Sequence, residues 1–118
     1  MSNPQAVRLR ALLGDYPNTR ALKQGDIRSA DIVFDFADVK TAHSAFKRTV
    51  RDLEFDVSEL AIVTFLVAKA CGKPLVLVPA VITGRFQHPY IVYNAERGPL
   101  GPGDLAGRRV GIRSYSVT

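Results

Sequence analysis

The strongest constraint on the fold is an apolar run near the middle of the chain, PLVLVPAV, at residues 74–81. A continuously apolar, valine-rich run of this length is typical of a central strand buried on both faces, as in a parallel sheet. Pro79 weakens its last part because proline cannot donate a hydrogen bond to a neighbouring strand. Other apolar runs predict further strands at Val7–Leu13, Ala30–Ala37, Phe55–Ala61, Tyr90–Tyr93 and Arg109–Ile112.

Helical patterns separate several of these strands. The predicted helices are Thr19–Gln24, Ala42–Leu53 and Ile62–Ala70. Gly25 and Gly72 end the first and the third, and Thr41 is a suitable N-cap for the second. Strands that alternate with helices predict an α/β fold with a mostly parallel sheet flanked by helices. In such folds, ligands bind beyond the carboxyl ends of the strands.

Charge narrows the range of partners. The 118 residues carry 16 Lys and Arg against 11 Asp and Glu, a net charge of +5 that is compatible with anionic ligands. The basic residues are scattered among acids and do not form one run, so we expect no nucleic-acid partner. A length of 118 residues and a hydrophobic content of 47% allow one globular unit with one core.

The single cysteine, Cys71, excludes an internal disulfide and a multi-cysteine metal site. It ends an apolar segment, which predicts a buried structural thiol. Two histidines also argue against a multi-histidine zinc centre. We therefore expect no metal, and no motif implies a cofactor, since Gly-rich phosphate loops and nucleophile elbows are absent from the sequence.

The amino-terminal residues MSNPQAVRLRALLGDYP show no basic head, long apolar stretch or small-residue cleavage pattern. The apolar run Leu60–Ala70 contains Thr64 and Lys69 and falls short of the roughly 20 residues that cross a bilayer. These features predict a cytoplasmic protein without a membrane segment.

Polar residues collect where the predicted parallel strands end. They are Asp15, Tyr16, Asn18, Thr19 and Arg20; Ser58 and Glu59; Thr83, Gly84, Arg85, Gln87 and His88; and Ser114 to Thr118. Arg20 and Arg85 are candidates for holding an anion, because the planar guanidinium matches a carboxylate. His88 can titrate near neutral pH. For two of these residues, an alternative to ligand binding stays open. Arg20 is solvated or pairs with Asp15, and Glu59 caps the helix that begins near Ile62.

Three segments together resemble a known family. They are GDYPNTRALKQGDI, FDVSELAIVTFLVAKACGKPLVLVPAVITGRFQHPYIVYN and DLAGRRVGIRSYSVT. They are similar to the amino-terminal part of 4,5-dihydroxyphthalate decarboxylases, which are related to type 2 periplasmic substrate-binding proteins. The DLAGRRVG element is widespread among substrate-binding proteins. GDYPNTRAL, the FDVSE stretch that ends at Glu59 and the RFQH element that ends at His88 together point to the decarboxylase-like branch.

The resemblance implies a two-lobed α/β fold that closes on a small anionic aromatic ligand. In that fold, Arg20 and Arg85 would hold the carboxylates, and Glu59 and Tyr16 would orient hydroxyl groups. His88 would protonate the ring carbon as carbon dioxide leaves. At the end of the chain, Ser114, Tyr115, Ser116 and Thr118 would offer hydroxyls and backbone N–H groups to the anion.

The resemblance also implies that residues 1–118 form the amino-terminal part of the first lobe, with the second lobe absent. We expect a truncated chain that is inactive alone or that associates with itself to cover exposed sheet edges. Three functions stay open. They are a carbon–carbon lyase for hydroxylated aromatic carboxylates, a solute-binding protein that delivers a small anion to an ABC transporter, and an inactive fragment.

Overall fold

The computed structural model describes residues 5–84, 86 and 88–112. The chain divides into two compact units, Met1–Ile82 and Thr83–Thr118. The first unit contains a parallel sheet of three strands in the order β2-β1-β3. The strands are β1, Val7–Leu12; β2, Ile32–Phe36; and β3, Val57–Ser58. This arrangement confirms an α/β fold with a parallel sheet.

The central strand β1 pairs with both of its neighbours. Val7 lies opposite Ile32 in β2, and Leu12 lies opposite Ser58 in β3. Asp56 extends the pairing with β3, because its carboxylate accepts the Arg10 N–H at 2.8 Å while its own N–H donates to the Arg10 carbonyl at 2.9 Å. Strands β2 and β3 lie on opposite sides of β1. The chain first connects β1 to β2 on one side and then crosses back to β3 on the other side, so the strand order changes direction between β1 and β3. That reversal is the position at which α/β sheets form ligand crevices.

The helices follow the predicted pattern closely. Helix α1 is Arg20–Gln24, and it ends at Gly25, whose φ of 81° is a left-handed conformation that suits glycine. Helix α2 is Ile62–Ala70. Between β2 and β3, a 3-10 helix at Ala42–Ala45 continues through Phe46 and Lys47 into a π-helix at Arg48–Asp52.

The core lies between β1 and the helical segment that precedes β3. Leu12 is fully buried and packs with Ala42, Ala45 and Phe55. The guanidinium groups of Arg10 and Arg48 lie over the Phe55 ring, 5.5 and 5.2 Å from its centroid. These cations shield a ring that would otherwise contact water, and cation–π attraction adds to the packing.

Glu54 joins the same two arginines through its carboxylate. Arg48 donates to it with Nε, at 2.5 Å, and with a second guanidinium nitrogen, and Arg10 pairs with it at 2.9 Å. The hydrogen bonds from Arg48 are the largest influence and lower the pKa of Glu54 below its ordinary value. The cluster therefore ties β1 to the π-helix at the position where the chain turns toward β3.

Residues 74–81 are not a strand, which corrects the prediction of a buried central strand. Val76 is 89% exposed and Val81 is 83% exposed. The N–H of Leu75 donates to the carbonyl of Lys73 at 2.8 Å, and the N–H of Ala80 donates to that of Val78 at 2.7 Å. These three-residue turns use N–H donors that a strand ladder would need, and they bend the backbone away from an extended conformation. Pro79 adds a position without a donor.

The predicted strands Tyr90–Tyr93 and Arg109–Ile112 are also absent. Within the described residues of the second unit, the regular elements are short 3-10 turns at His88–Tyr90, Ala95–Arg97 and Pro102–Leu105. Val92 is 87% exposed and Val110 is 60% exposed, because no neighbouring strand in the described part of this unit pairs with them.

Two smaller predictions are also corrected. Cys71 is exposed, not buried, because it lies just past the end of α2. The buried residue of that helix is Ala68. Thr41 occupies the predicted N-cap position with extended backbone angles, but its side chain makes no capping hydrogen bond. In the part of the chain that the structure describes, no helix has the length and apolar character needed to cross a membrane.

Candidate functional site

The carboxyl ends of β1 and β3 bring together two side chains that the sequence assigns to a ligand site. The hydroxyl of Tyr16, in the loop after β1, donates to Oε1 of Glu59 at 2.8 Å. Glu59 directly follows β3, and its own N–H donates to the carbonyl of Leu12 at 2.9 Å. The pair therefore lies at the carboxyl ends of β1 and β3, where the strand order changes direction, as the parallel-strand argument predicts.

The second oxygen of Glu59 is also held. Oε2 accepts the N–H of Gly14 at 2.8 Å, so both carboxylate oxygens have a fixed donor. A carboxylate offers about four acceptor sites, and these two donors from the described part of the chain occupy two of them. Both Tyr16 and Glu59 are half-buried. The carboxylate is thus oriented by the protein while it keeps capacity to accept a hydrogen bond from outside.

The environment keeps Tyr16 protonated. Burial, followed by the hydrogen bond to Glu59 and its negative charge, raises the pKa of Tyr16 from 10.0 to about 12. At neutral pH the phenol is therefore a donor to Glu59, and its oxygen has lone pairs with which it can accept. The ammonium of Lys23 donates to the Leu13 carbonyl at 3.2 Å and brings a positive charge to the same loop.

Gly14 is a part of this arrangement that the sequence-based prediction treats only as the end of a strand. A Cβ at position 14 would lie 2.6 Å from two ring carbons of Tyr16 and 2.7 Å from its hydroxyl. Only glycine leaves room for the ring to lie over the backbone at this position. The signal in the sequence is a glycine two residues before an aromatic residue, but the contact depends on the ring orientation.

Arg20 pairs with a different carboxylate, that of Asp15. The Arg20 side chain is 56% exposed, with 3.8 Å between its Nε and Oδ1 of Asp15. This confirms the Asp15 pairing that the sequence left open. The role of Arg20 in holding a ligand carboxylate stays a prediction.

Glu59 does not cap α2, which was its alternative role. The N-cap of α2 is Ala61, the first turn contains no acidic residue, and no side chain makes a capping bond there. The carboxylate of Glu59 instead holds Gly14 and Tyr16.

The other predicted site residues lie outside this description. Arg85, Ser114, Tyr115, Ser116 and Thr118 fall outside the described residues, and His88 is described only as the first residue of a 3-10 turn. Their roles stay predictions.

The first unit has one further contact with the loop after β1: the side-chain amide of Asn18 donates to the carbonyl of Ile82 at 2.8 Å. Over residues 5–84, 86 and 88–112, no group of three potential metal-binding side chains occurs.

Comparison with known proteins supports the family resemblance. The chain is 31% identical over 115 residues to a 4,5-dihydroxyphthalate decarboxylase of Comamonas testosteroni. It is 29% identical over 113 residues to a protein of the same name from Pseudomonas putida. These alignments cover 95% and 93% of the chain. The resemblance predicted from the sequence is therefore confirmed.

The same alignments cover a smaller share of the relatives. The chain spans 34% of the length of the Comamonas testosteroni protein and 43% of the Pseudomonas putida protein. No protein-family model matches the chain. No solved structure matches it either.

Proposed function

We propose that the chain forms part of a decarboxylase-like protein that acts on a hydroxylated aromatic carboxylate such as 4,5-dihydroxyphthalate. Similarity to two decarboxylases over more than nine-tenths of the chain supports the reaction class. The decarboxylase activity is proposed for a whole protein of which this chain is a part, because the chain spans less than half the length of either relative. We also propose that the parallel sheet belongs to one lobe of a two-lobed substrate-binding fold.

The structural observation that carries the proposal is the Tyr16–Glu59 pair at the point where the sheet reverses direction. A dihydroxylated ring presents two adjacent O–H groups, each a donor and an acceptor. Glu59 accepts a hydrogen bond from one such hydroxyl, and the phenol oxygen of Tyr16 accepts a hydrogen bond from the other. An apolar or purely carboxylate ligand would leave these acceptors without a partner, which is how a polar site discriminates between ligands.

The chemistry of decarboxylation explains why an oriented carboxylate would be useful here. A proton adds to the ring carbon that carries the departing carboxylate, the bond to that carboxylate breaks, and its electron pair returns to the ring as carbon dioxide leaves. A hydroxyl para to this carbon supplies electron density to it. Glu59 strengthens that supply by drawing on the hydroxyl proton, a general-base interaction.

The remaining steps would use residues that the resemblance assigns. We propose Arg20 and Arg85 as carboxylate-binding residues and His88 as the proton donor to the ring carbon. For Arg20, the structure supplies a half-exposed guanidinium whose pair with Asp15 is long, at 3.8 Å, so a ligand carboxylate can replace Asp15 at low cost.

A ligand series tests the hydroxyl-recognition proposal. We expect 4,5-dihydroxyphthalate to raise the melting temperature of the chain, because a ligand that binds only the folded state stabilises it by about 2.7 kcal/mol at a hundredfold excess over Kd. Phthalate keeps the two carboxylates and lacks the hydroxyls, and we expect a much smaller shift. Equal shifts with both compounds would contradict recognition through Tyr16 and Glu59.

A matched pair of variants completes the test. Glu59→Gln keeps the side-chain shape and removes the charge, and we expect it to abolish the difference between 4,5-dihydroxyphthalate and phthalate. Glu96→Gln makes the same change at an exposed position in the second unit and should leave the difference intact. Carbon dioxide release from 4,5-dihydroxyphthalate, measured on the same preparations, separates turnover from binding alone.

A further inference from the structure

Thr19 is one of two buried polar residues among those that the structure describes, with 4% of its surface exposed. A buried hydroxyl destabilises a fold unless hydrogen bonds replace those it made to water. In Thr19, the hydroxyl oxygen Oγ1 lies 2.8 Å from the carbonyl oxygen of Gly14 and 2.9 Å from the backbone nitrogen of Tyr16. The hydroxyl therefore makes its bonds to the two residues that meet Glu59.

The hydroxyl has one proton, and the distances indicate where it goes. Oγ1 donates to the Gly14 carbonyl at 2.8 Å, while the Tyr16 carbonyl is a longer alternative at 3.2 Å. In return, Oγ1 accepts the N–H of Tyr16. One side chain thus connects a carbonyl at the start of the loop to an N–H in its middle, and closes residues 14–19 into a compact turn.

This turn fixes the two donors that hold Glu59. The Gly14 N–H and the Tyr16 hydroxyl reach different oxygens of the same carboxylate, both at 2.8 Å, so a change in loop shape would break at least one of them. Glu59 itself comes from the loop after β3, more than 40 residues away in the sequence. The match between the two loops therefore depends on how the first loop is closed.

We propose that Thr19 is a positioning residue, whose hydroxyl shapes the loop after β1 so that Tyr16 and Gly14 together orient the Glu59 carboxylate. Thr19 reaches the candidate site only through Gly14 and Tyr16. Its importance for ligand recognition rests on the function proposed above, whereas its effect on the Tyr16–Glu59 pair can be measured without any ligand.

The ionisation of Tyr16 responds to the burial of its phenol and to its hydrogen bond with Glu59, and both require the ring to keep its position beside Gly14. A tyrosine whose pKa is about 12 is roughly one-tenth ionised at pH 11, and one with the ordinary pKa of 10.0 is roughly nine-tenths ionised. A rapid pH jump to 11, read by tyrosinate absorbance before the chain unfolds, gives this fraction. Subtraction of the same measurement on a Tyr16→Phe version of each protein isolates Tyr16 from the other three tyrosines.

Thr19→Ala and Thr19→Ser form the matched pair, because both lack the methyl group and they differ by the hydroxyl alone. We expect Tyr16 in Thr19→Ala to become up to ninefold more ionised at pH 11, and Thr19→Ser to retain the value of the unaltered chain. Thr19→Val, which keeps the side-chain volume, should behave like Thr19→Ala. Circular dichroism at pH 8 confirms that each variant is folded.

Two results would overturn the proposal. One is a folded Thr19→Ala or Thr19→Val protein in which Tyr16 resists ionisation as strongly as in the unaltered chain. The other is a Thr19→Ser protein in which that resistance is lost, since the hydroxyl would then not be what positions Tyr16. Failure of ligand binding would contradict the proposed function and would leave this measurement unaffected.

Discussion

The strand β1 and the segment at residues 74–81 have opposite structures, although the sequence predicts a strand at both. Both are rich in valine and leucine, yet β1 has a partner strand on each side and buries Leu12 completely. The second segment has no ladder, and Val76 is 89% exposed. The difference teaches that an apolar β-branched run predicts the capacity to form a strand, whereas its burial depends on backbone partners elsewhere in the chain.

The contrast extends beyond these two segments. Every residue that the structure describes as buried lies between Ala11 and Ala68, and none of the described residues from Pro74 to Ile112 is buried. Substitutions in the first region should therefore change stability, and matched substitutions in the second should not. Matched substitutions, one residue from each region, test this contrast.

The largest effect is expected at Leu12. Leu12→Ala removes the one large side chain that is fully buried among the described residues and leaves a cavity beside Phe55, so we expect a loss of about 2–5 kcal/mol in the free energy of unfolding. Val76→Ala should change it by less than about 0.5 kcal/mol. Urea titrations of both variants provide the measurement. Equal losses would mean that residues 74–81 are packed in solution, and the contrast would fail.

A smaller effect is expected for alanine at Gly14. The added Cβ would meet the Tyr16 ring at 2.6 Å, and we expect the ring to move away from Glu59 at a cost of about 1–2 kcal/mol, because a hydrogen bond to a carboxylate is lost. Gly103→Ala meets no atom within 4 Å and should be neutral or stabilising by up to about 1 kcal/mol. Thermal melts should show a lower melting temperature for Gly14→Ala and an unchanged or higher one for Gly103→Ala. A Gly14→Ala melt that matches the unaltered chain would show that the ring does not lie over this backbone.

The Tyr16–Glu59 bond predicts a stability difference that depends on pH. The pKa of Tyr16 is raised to about 12 by folding, so the bond stabilises the chain fully below pH 10 and less as the pH rises toward 12. Tyr16→Phe lacks this contribution, which we expect to be about 1 kcal/mol because solvent screens a half-exposed pair. The difference between the two urea midpoints should therefore shrink between pH 9 and pH 11.5.

Tyr93→Phe is the control for that experiment. It removes the same hydroxyl from a side chain that is 52% exposed, and at neutral pH the free energy of unfolding should change by less than about 0.5 kcal/mol. A constant difference between Tyr16→Phe and the unaltered chain across the whole pH range would contradict the bond to Glu59.

The smallest effect is expected at Glu54, whose charge pairs with two arginines at the surface. Its pKa is lowered by folding, so its contribution is present at neutral pH and is lost as the pH falls through the lowered value. Glu54→Gln should therefore lose less of its melting temperature between pH 6 and pH 3 than the unaltered chain. Glu96→Gln controls for the change in net charge. If Glu96→Gln changes the acid dependence of the melting temperature as much as Glu54→Gln does, the cluster with Arg10 and Arg48 is not the cause of that dependence.

Much of the first unit could be predicted from the sequence, because its signals are local. The spacing of apolar residues gives α2, and Gly25 ends α1 through a left-handed conformation that glycine adopts easily. The proximity of Tyr16 and Glu59 follows from the rule that parallel strands end at one edge. That rule uses only the order of elements, so it remains useful even where single strands are mispredicted.

The parts that could not be predicted depend on distant partners. Nothing in residues 74–81 indicates that the N–H of Leu75 donates to the Lys73 carbonyl and that the N–H of Ala80 donates to the Val78 carbonyl. The contact of Gly14 with the Tyr16 ring requires a side-chain orientation, and the exposure of Cys71 requires knowledge of what lies past the end of α2. The local sequence pattern determines neither the orientation of a side chain nor which residues pack over it.

The central position of β1 also affects the order in which the sheet assembles. Val7 meets Ile32 across a loop of about 25 residues, and Ala11 meets Val57 across about 46, so closing the second loop costs roughly 0.5 kcal/mol more in chain entropy. We expect β3 to dock last during folding and to detach first in the native state. Amide hydrogens of Val57 to Glu59 should then exchange with deuterium sooner than those of β2. If the proposed function is right, binding of a ligand at Glu59 would slow that exchange, because the ligand would hold β3 against β1.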